Sequence, residues 1–287
     1  SDRHNIDVLL DEQALNDFGV PTDEPITLAL DGVSLRTALH WLLTPHNLGW
    51  VIRGEALVIT SVDDADTAVT VRVYAAQDLG AEDDHADLIE AIQTNMHPGT
   101  WESQGGPGSI QSLRGALVVT QALPMQDLVQ DLLAAIRAAS QQQAGGQGTA
   151  RFAPIPLGNS ALHRAWDQRL QKKVGLEFVE TPLSDVSAYL KDKLGAPVLL
   201  DNKALGEEGI ADDLPVSIQR RDVTMGAGLS TLLRAHQLAW YVRGEVLVIS
   251  TREPADQAME IRPYPVQDLV FHPELPESRD FATVLET

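Results

Sequence analysis

The sequence predicts an α+β fold built from small domains in tandem, and two observations support this prediction. The segment HNLGWVIRGEALVIT, residues 46–60, returns as HQLAWYVRGEVLVIS at residues 236–250. Between the two copies lies a different stretch, residues 65–139, in which strand and helix patterns also alternate. Because a self-match at a fixed spacing is typical of duplicated structural units, we expect one fold to occur twice.

The duplication extends without a gap well beyond this segment. Residues 8–79 and residues 198–269 align at an offset of 190 and are identical at 30 of 72 positions. A register of this length predicts the same fold for both copies. The two copies are termed the first A repeat, residues 1–64, and the second A repeat, residues 159–254. The intervening residues 65–139 are termed the B domain.

Each A repeat is predicted to close with a helix and a β-hairpin. Ser34 and its counterpart Thr224 are good N-cap residues. The hairpin turns at Arg53-Gly54-Glu55, where glycine tolerates a positive φ. Apolar residues after each cap recur at the spacing of one buried helical stripe, namely Leu35, Ala38, Leu39 and Leu42, and Met225, Gly228, Leu229 and Leu232.

The beginning of the A repeat is complete only in the second copy. In the first copy, residues 8–11 and 26–30 are predicted strands, and residues 15–24 are a polar loop between them. In the second copy a strand at residues 175–179 and a helix at residues 182–194 come before the same pattern. The full order is therefore β-α-β-β-α-β-β. The inward face of the added helix is predicted to carry Val186, Tyr189, Leu190 and Leu194.

The B domain has a different predicted order, β-α-β-β-α. Its elements are a strand at 69–75, a helix at 86–96, hairpin strands at 110–113 and 116–120, and a helix at 124–138. Residues 140–158 are rich in Gln and Gly, have no apolar period, and are predicted to be a flexible linker. A helix at 159–172 then leads into the second A repeat. Residues 255–287 match the start of the B domain and predict a second, incomplete copy of it.

The composition argues against several classes of function. The formal net charge is −20, so a polyanionic nucleic acid would be repelled. Cysteine is absent, which excludes disulfides and thiolate metal sites. No apolar run approaches the roughly 20 residues that a membrane-spanning helix needs, and no signal peptide stands at Ser1. We therefore expect neither a nucleic-acid partner nor a membrane-spanning segment in this chain.

None of the candidate motifs predicts a catalytic, cofactor-binding or metal-binding residue. The glycine-rich residues 105–109 lack the Lys-Ser/Thr of a phosphate cradle and precede a strand, so a plain surface loop is predicted. Four acidic runs lack the spacing of a calcium loop, which favours solvated loops and leaves weak calcium binding as an alternative. These runs are residues 63–64, 82–84, 207–208 and 212–213.

Two pairs of residues match between the copies and invite a functional interpretation. His46 and His236 each stand at a helix end, where a cation suits the helix dipole, and no ligand spacing surrounds them. Trp50 and Trp240 stand on the hairpin strands. Core packing is the favoured interpretation of these tryptophans, and an exposed partner-binding aromatic is the alternative.

The A repeat resembles the short N-terminal domain of secretins and TonB-dependent receptors, which is also called the N0 or STN domain. The resemblance is carried by the order β-α-β-β-α-β-β, by the helices SLRTALHWLL and TMGAGLSTLL, and by the closing hairpins. The B domain is similar to the secretin N1 domain, which is KH-like, in the segments VRVYAAQDL, ADLIEAIQTNM and GALVVT. The resemblance thus implies N0/STN-like domains alternating with N1/KH-like domains in one α+β chain.

This resemblance implies a periplasmic location, stacking into rings and binding of partner proteins, and it implies no catalytic residue or cofactor. We therefore expect a non-enzymatic structural or interaction module of a bacterial periplasmic or envelope assembly, such as a secretin-like ring or pore component. The alternative is the signalling domain of a TonB-dependent receptor, which contacts a regulatory partner. The incomplete units favour self-association or cover by further chain, because open sheets and apolar faces invite neighbours.

Overall fold

The computed structural model describes residues 6–23, 26, 28–79, 85–145, 157, 160–258, 261 and 263. It is an α+β structure with several small sheets and alternating strands and helices, as predicted. The strands are β1 Asp7–Leu10, β2 Leu48–Arg53, β3 Ala56–Ser61, β4 Val69–Ala75, β5 Ser109–Leu113, β6 Ala116–Ala122, β7 Lys173–Pro182, β8 Val198–Leu200, β9 Pro215–Thr224, β10 Leu238–Arg243 and β11 Val246–Thr251. The helices are α1 Glu12–Asp17, α2 Leu35–Leu43, α3 Val62–Thr67, α4 Ala86–Asn95, α5 Leu123–Gly145, α6 Ser160–Gln171, α7 Leu183–Leu194, α8 Asn202–Glu207, α9 Met225–Arg234 and α10 Arg252–Gln257.

The chain divides into two compact regions. One consists of Ser1–Ala65 together with Ala161–Met259, and so contains both A repeats. The other consists of Asp66–Ser160 together with Glu260–Thr287, and so contains the B domain. Within the described ranges, no helix combines the length and the apolarity that crossing a bilayer requires.

The second A repeat contains two sheets around one core. Strands β7 and β9 pair antiparallel, and a three-stranded sheet has the order β10-β11-β8 with β8 parallel to β11. Helices α7 and α9 contribute their apolar faces to the same core, as the predicted spacing requires. Of the predicted inward residues of α7, Tyr189 is half-buried and packs edge-on against Phe178, with 5.2 Å between the ring centroids. The other three, Val186, Leu190 and Leu194, are buried.

The first A repeat has a smaller core on a single sheet of order β1-β3-β2, with β1 parallel to β3. The predicted cap and hairpin are confirmed. The Ser34 hydroxyl accepts a hydrogen bond from the Thr37 amide at the start of α2, and Gly54 has a φ of 63° in the hairpin turn. The core gathers α1, α2 and the hairpin through Leu15, Leu39, Leu43, Leu48 and Leu57.

Two predictions for the first A repeat are wrong, and both failures have the same cause. The described part of residues 26–30 forms no strand, whereas the matching residues of the second repeat lie in β9. Strand β9 is held by backbone pairing with β7, and the described residues of the first repeat include no counterpart of β7. Leu35, predicted to lie in the buried stripe of α2, is 52% exposed, whereas its counterpart Met225 is 1% exposed.

The polar loop predicted at residues 15–24 is also partly wrong, because the short helix α1 overlaps its beginning. The side chain of Asp11 caps this helix by accepting a hydrogen bond from the Ala14 amide, which stabilises a turn too short to show a clear apolar period. Asp201 caps α8 in the same way, so the two repeats share this element.

The B domain is an antiparallel sheet of order β4-β6-β5 packed against α4 and α5. Its core is formed by Ile92, Met96, Trp101, Leu117, Val129 and Leu133 among others. Helix α5 continues beyond its predicted end, so residues 140–145 of the predicted linker are helical. Residues 146–156 of that linker lie outside the described residues, as does nearly all of the predicted second B copy beyond residue 258.

Candidate protein-interaction surfaces

The hairpin tip of the second A repeat contacts helix α2 of the first. This docked tip consists of Arg243-Gly244-Glu245. The Thr37 hydroxyl donates a hydrogen bond to Oε2 of Glu245, and an Nη atom of Arg243 lies 3.0 Å from Nε2 of His40. A Cβ atom on Gly244 would lie 2.9 Å from Oγ1 of Thr37, so glycine permits the close approach.

The residues that receive the docked tip are found only in the first repeat. In the second repeat, the positions of Thr37, His40 and Trp41 carry Ala227, Ser230 and Thr231. The tip itself is identical in both repeats, and its other copy, Arg53-Gly54-Glu55, is exposed. One tip sequence is therefore present both docked and exposed, and only α2 has the side chains that receive it.

The contact between Arg243 and His40 fixes the charge state of the histidine. Burial, and to a smaller extent the positive charge of Arg243, lower the pKa of His40 to about 4. Because the guanidinium donates to Nε2, the ring proton belongs on Nδ1, which lies 3.2 Å from Oγ1 of Thr44. Protonation of Nε2 would break the hydrogen bond between Arg243 and His40 and place two cations against each other.

A cleft of about 580 Å³ lies beside the docked tip. Ile26, Leu28 and Trp41 of the first repeat line it together with Leu199 and Tyr241 of the second. Among the described residues, Nε1 of Trp41 is the one buried side-chain polar atom that has no hydrogen-bond partner. Buried hydrogen-bond donors normally have an acceptor. A cleft with apolar walls and a donor that lacks one is suited to a protein ligand that offers a hydrogen-bond acceptor.

The first A repeat carries an uncovered apolar surface, termed the open face, formed by Val8, Leu10, Ile26 and Leu35. These side chains are 45%, 43%, 41% and 52% exposed. Their counterparts in the second repeat are covered: Val198 and Leu200 are half-buried, and Val216 and Met225 are buried. Isolated exposed apolar residues are ordinary, whereas the counterparts of this set pack in or against the core of the second repeat.

The outer face of the B-domain sheet is also apolar. Val71 and Val73 on β4 are 64% and 66% exposed, and Leu113 on β5 is 60% exposed. Cross-strand pairing places Val73 opposite Val118, and every residue that shares this face is uncharged. A continuous uncharged sheet face is a second surface that a protein neighbour could cover.

The glycine-rich residues 105–109 form a loop in which Gly105 and Pro107 are exposed, in keeping with the predicted surface loop, while Gly108 is buried. A Cβ atom at Gly106 would lie 2.2 Å from the Thr100 carbonyl carbon, and one at Gly108 would lie 2.2 Å from Nε2 of Gln121. The loop follows Trp101, which is fully buried and donates its Nε1 hydrogen to the Met96 carbonyl at 2.7 Å. The glycines therefore serve close packing.

The matched pairs occupy structural positions. His46 ends a short 3₁₀ turn and His236 follows α9, and both are half-buried. Trp50 and Trp240 pack at the edges of the two cores, as favoured from the sequence, and Nε1 of Trp240 donates to Ser230 at 2.9 Å. The acidic run at residues 82–84 lies outside the described residues. Elsewhere in the described part of the chain, no three His, Asp or Glu side chains gather as metal ligands.

The buried polar groups in the B domain had no recognisable signal in the sequence. His85 is 3% exposed, and its ring nitrogens lie 2.9 Å from Oγ of Ser112 and from the Ala76 carbonyl oxygen. Gln126 is fully buried and donates to the carbonyls of Thr70 and Val119. The side-chain polar atoms of His85 and Gln126 all have hydrogen-bond partners. These side chains therefore link elements of the B domain to one another.

The chain matches no protein-family model and no curated protein sequence.

Proposed function

We propose that this chain is a non-catalytic protein-interaction module of a bacterial periplasmic or cell-envelope assembly, contributing to a secretin-like ring or pore. The observation that carries the proposal is the docked tip, in which one A repeat holds another through a tip that both share. The proposed partners are proteins, either further copies of this chain or neighbours with a similar repeat.

The geometry of this contact favours extended assembly over a closed pair. A hairpin tip meets the side of a helix, so two different surfaces are joined, and such heterologous contacts generate rings or filaments. The tip at Arg53-Gly54-Glu55 is exposed and has the same sequence as the docked one. A further protein with an acceptor helix like α2 could therefore bind it.

The other exposed surfaces support the same function. The open face and the outer face of the B-domain sheet both expose several apolar side chains. Surfaces of this kind are suited to binding proteins, because burial of apolar area drives most protein association.

Sedimentation equilibrium over a wide range of protein concentrations tests the proposal. We expect the average mass to rise above that of one chain as the concentration increases. The matched control is a chain with Val71→Asp and Val73→Asp, which changes only the exposed outer face of the B-domain sheet and should associate more weakly while keeping the wild-type circular dichroism. A strictly monomeric wild-type chain, together with absence of the protein from isolated cell envelopes, would contradict the proposal.

A further inference from the structure

The second A repeat contains a pocket of about 570 Å³ between α9, β10 and α10. Each helix contributes one arginine, Arg234 on α9 and Arg252 on α10, and Trp240 on β10 lines the same pocket. Ser230 and Asp256 also line this pocket, which is termed the arginine pocket. All five residues belong to one repeat, so the pocket does not depend on any element outside it.

The local fold brings the two arginines to the same end of β10. Helix α9 ends at Arg234, shortly before β10 begins at Leu238. Leu238 pairs with Thr251, and Arg252 follows directly as the first residue of α10. Both cations therefore lie beside the start of this strand, and the pocket gathers two positive charges against the one negative charge of Asp256.

Neither arginine has a carboxylate partner among the described residues. Asp256 follows Arg252 by one helical turn on α10, but a cation that precedes an acid at this spacing is the weaker order for a helical pair. The helix ends do not explain both cations either. A cation suits the end of α9, whereas the start of α10 favours an acid. Arg252 is therefore not explained by the helix on which it stands.

The matched residues of the first A repeat separate the cations from the fold. The positions of Arg234 and Arg252 carry Thr44 and Val62 there, whereas the tryptophan is retained as Trp50. The first repeat thus forms its helix, its hairpin and the short helix after the hairpin without either cation. The two arginines are therefore an addition to the A-repeat fold and not a requirement of it.

The chemistry of the arginine pocket selects an acidic ligand with an apolar part. Guanidinium groups donate paired hydrogen bonds that match the two oxygens of a carboxylate. Nε1 of Trp240 donates to Oγ of Ser230 at 2.9 Å, which fixes the half-buried indole ring, and this ring can contact an apolar side chain. Asp256 would repel a multiply charged phosphate, whereas it can accept a hydrogen bond from a peptide N–H.

We propose that the arginine pocket binds an acidic peptide segment of a partner protein. A carboxylate of this segment lies against Arg234 and Arg252, and a neighbouring apolar side chain packs on Trp240. A backbone N–H of the segment donates to Asp256. The inference rests on the proposed function, since it names the chemistry of one protein partner.

Titration of the whole 287-residue chain with short peptides tests the proposal. The probe is N-acetyl-Glu-Phe-Glu-amide, and N-acetyl-Gln-Phe-Gln-amide has nearly the same shape without the charges. Binding is followed through the indole N–H resonance of Trp240, which the variant Trp240→Phe identifies among the five tryptophans. We expect the acidic probe to shift this resonance, and the amide probe to bind about tenfold more weakly because the charged contacts are lost.

Two variants of the chain make the test specific. Arg234→Ala with Arg252→Ala should weaken binding of the acidic probe about tenfold. Arg53→Ala with Arg164→Ala removes the same charge from two residues outside the pocket and should leave the affinity within about twofold, because salt screens distant charges. Both variants should keep the wild-type circular dichroism, since all four side chains are exposed.

Four results would overturn the inference: no shift with the acidic probe, equal affinity for the two probes, equal weakening by the two variants, or tighter binding of inorganic phosphate than of the acidic probe. If any of these occurred while the wild-type chain still self-associated, the ligand class would be wrong and the proposed function would stand.

Discussion

The two A repeats have closely related sequences, but matched apolar residues are buried in one and exposed in the other. Both contain a capped helix, a hairpin and a parallel strand beside it. Among the described residues, only the second repeat includes the strand β7 and the helix α7, which contribute to its core. The same type of residue is therefore buried in one repeat and exposed in the other, as Met225 and Leu35 show.

The comparison shows that an apolar alternation specifies a strand only when a partner strand is present. Val216 and Ile218 are buried on β9, whereas Ile26 and Leu28 line a cleft without forming a strand. Side-chain pattern sets which face a residue would present, but backbone pairing decides whether the strand forms.

The largest expected difference comes from introducing the same charge at matched helix positions. Met225→Asp buries a carboxylate without a partner and should lower the free energy of unfolding by more than about 4 kcal/mol. Leu35→Asp places the charge in solvent and should change it by less than about 0.5 kcal/mol. Urea denaturation followed by circular dichroism measures both, and equal losses would show that the repeats are equally closed.

Exchanging glycine and alanine at the next matched position sharpens the comparison. Gly228→Ala should destabilise the chain by about 1–3 kcal/mol through overpacking against Leu176, although alanine ordinarily favours a helix over glycine. In the first repeat, Ala38→Gly should cost about 1 kcal/mol from helix propensity alone. Thermal unfolding measures both losses of stability, and a stabilising Gly228→Ala would mean that Leu176 does not press on α9.

The docked and exposed tips differ in the expected effect of one substitution. Glu245→Gln weakens the hydrogen bond from Thr37 and should cost about 1 kcal/mol, because the contact is only partly shielded from water. The matched variant Glu55→Gln should have no measurable effect on stability. Hydrogen exchange along α2 provides the readout. Faster exchange in both variants, or in neither, would argue against the tip as the contact between the repeats.

A pH dependence of the same contact is also expected. The pKa of His40 is lowered to about 4 in the folded chain, below its ordinary value of 6.5. Between these values the unfolded chain binds a proton that the folded chain does not, so stability should fall as the pH decreases from 6.5 towards 4. His40→Asn removes this group, and its pH–stability curve should be flatter in that window than that of the wild type. If the two pH–stability curves have the same slope in this window, the pKa of His40 is not lowered in the folded chain.

Local patterns predicted most of the fold, because caps, turns and helical stripes act within a few residues. Ser34, Thr224 and the Arg-Gly-Glu turns all occupy their expected positions. Helix α5 continues past its predicted end because alanine and glutamine favour a helix even without an apolar period. The strand predicted at residues 26–30 failed because pairing depends on residues elsewhere in the chain.

The contact surfaces were harder to predict for the same reason. Thr37 and Glu245 are separated by 208 positions, and neither residue type is unusual alone. The aligned repeats do contain a usable signal. The hairpin tip is identical in both repeats, whereas Thr37, His40 and Trp41 differ from their counterparts. The polar network around Gln126 had no such signal, because a buried glutamine and an exposed one have the same sequence context.

The central claim is that the described residues 28–31 of the first A repeat form no strand, whereas the matching residues of the second repeat lie in β9 and pair with β7. Amide hydrogen exchange of the wild-type chain tests it most directly, by comparing residues 28–31 with the matching residues 218–221 of β9. The account predicts fast exchange in the first group and slow exchange in the second. Equal, slow exchange in both groups would contradict it, since residues 28–31 would then already be paired.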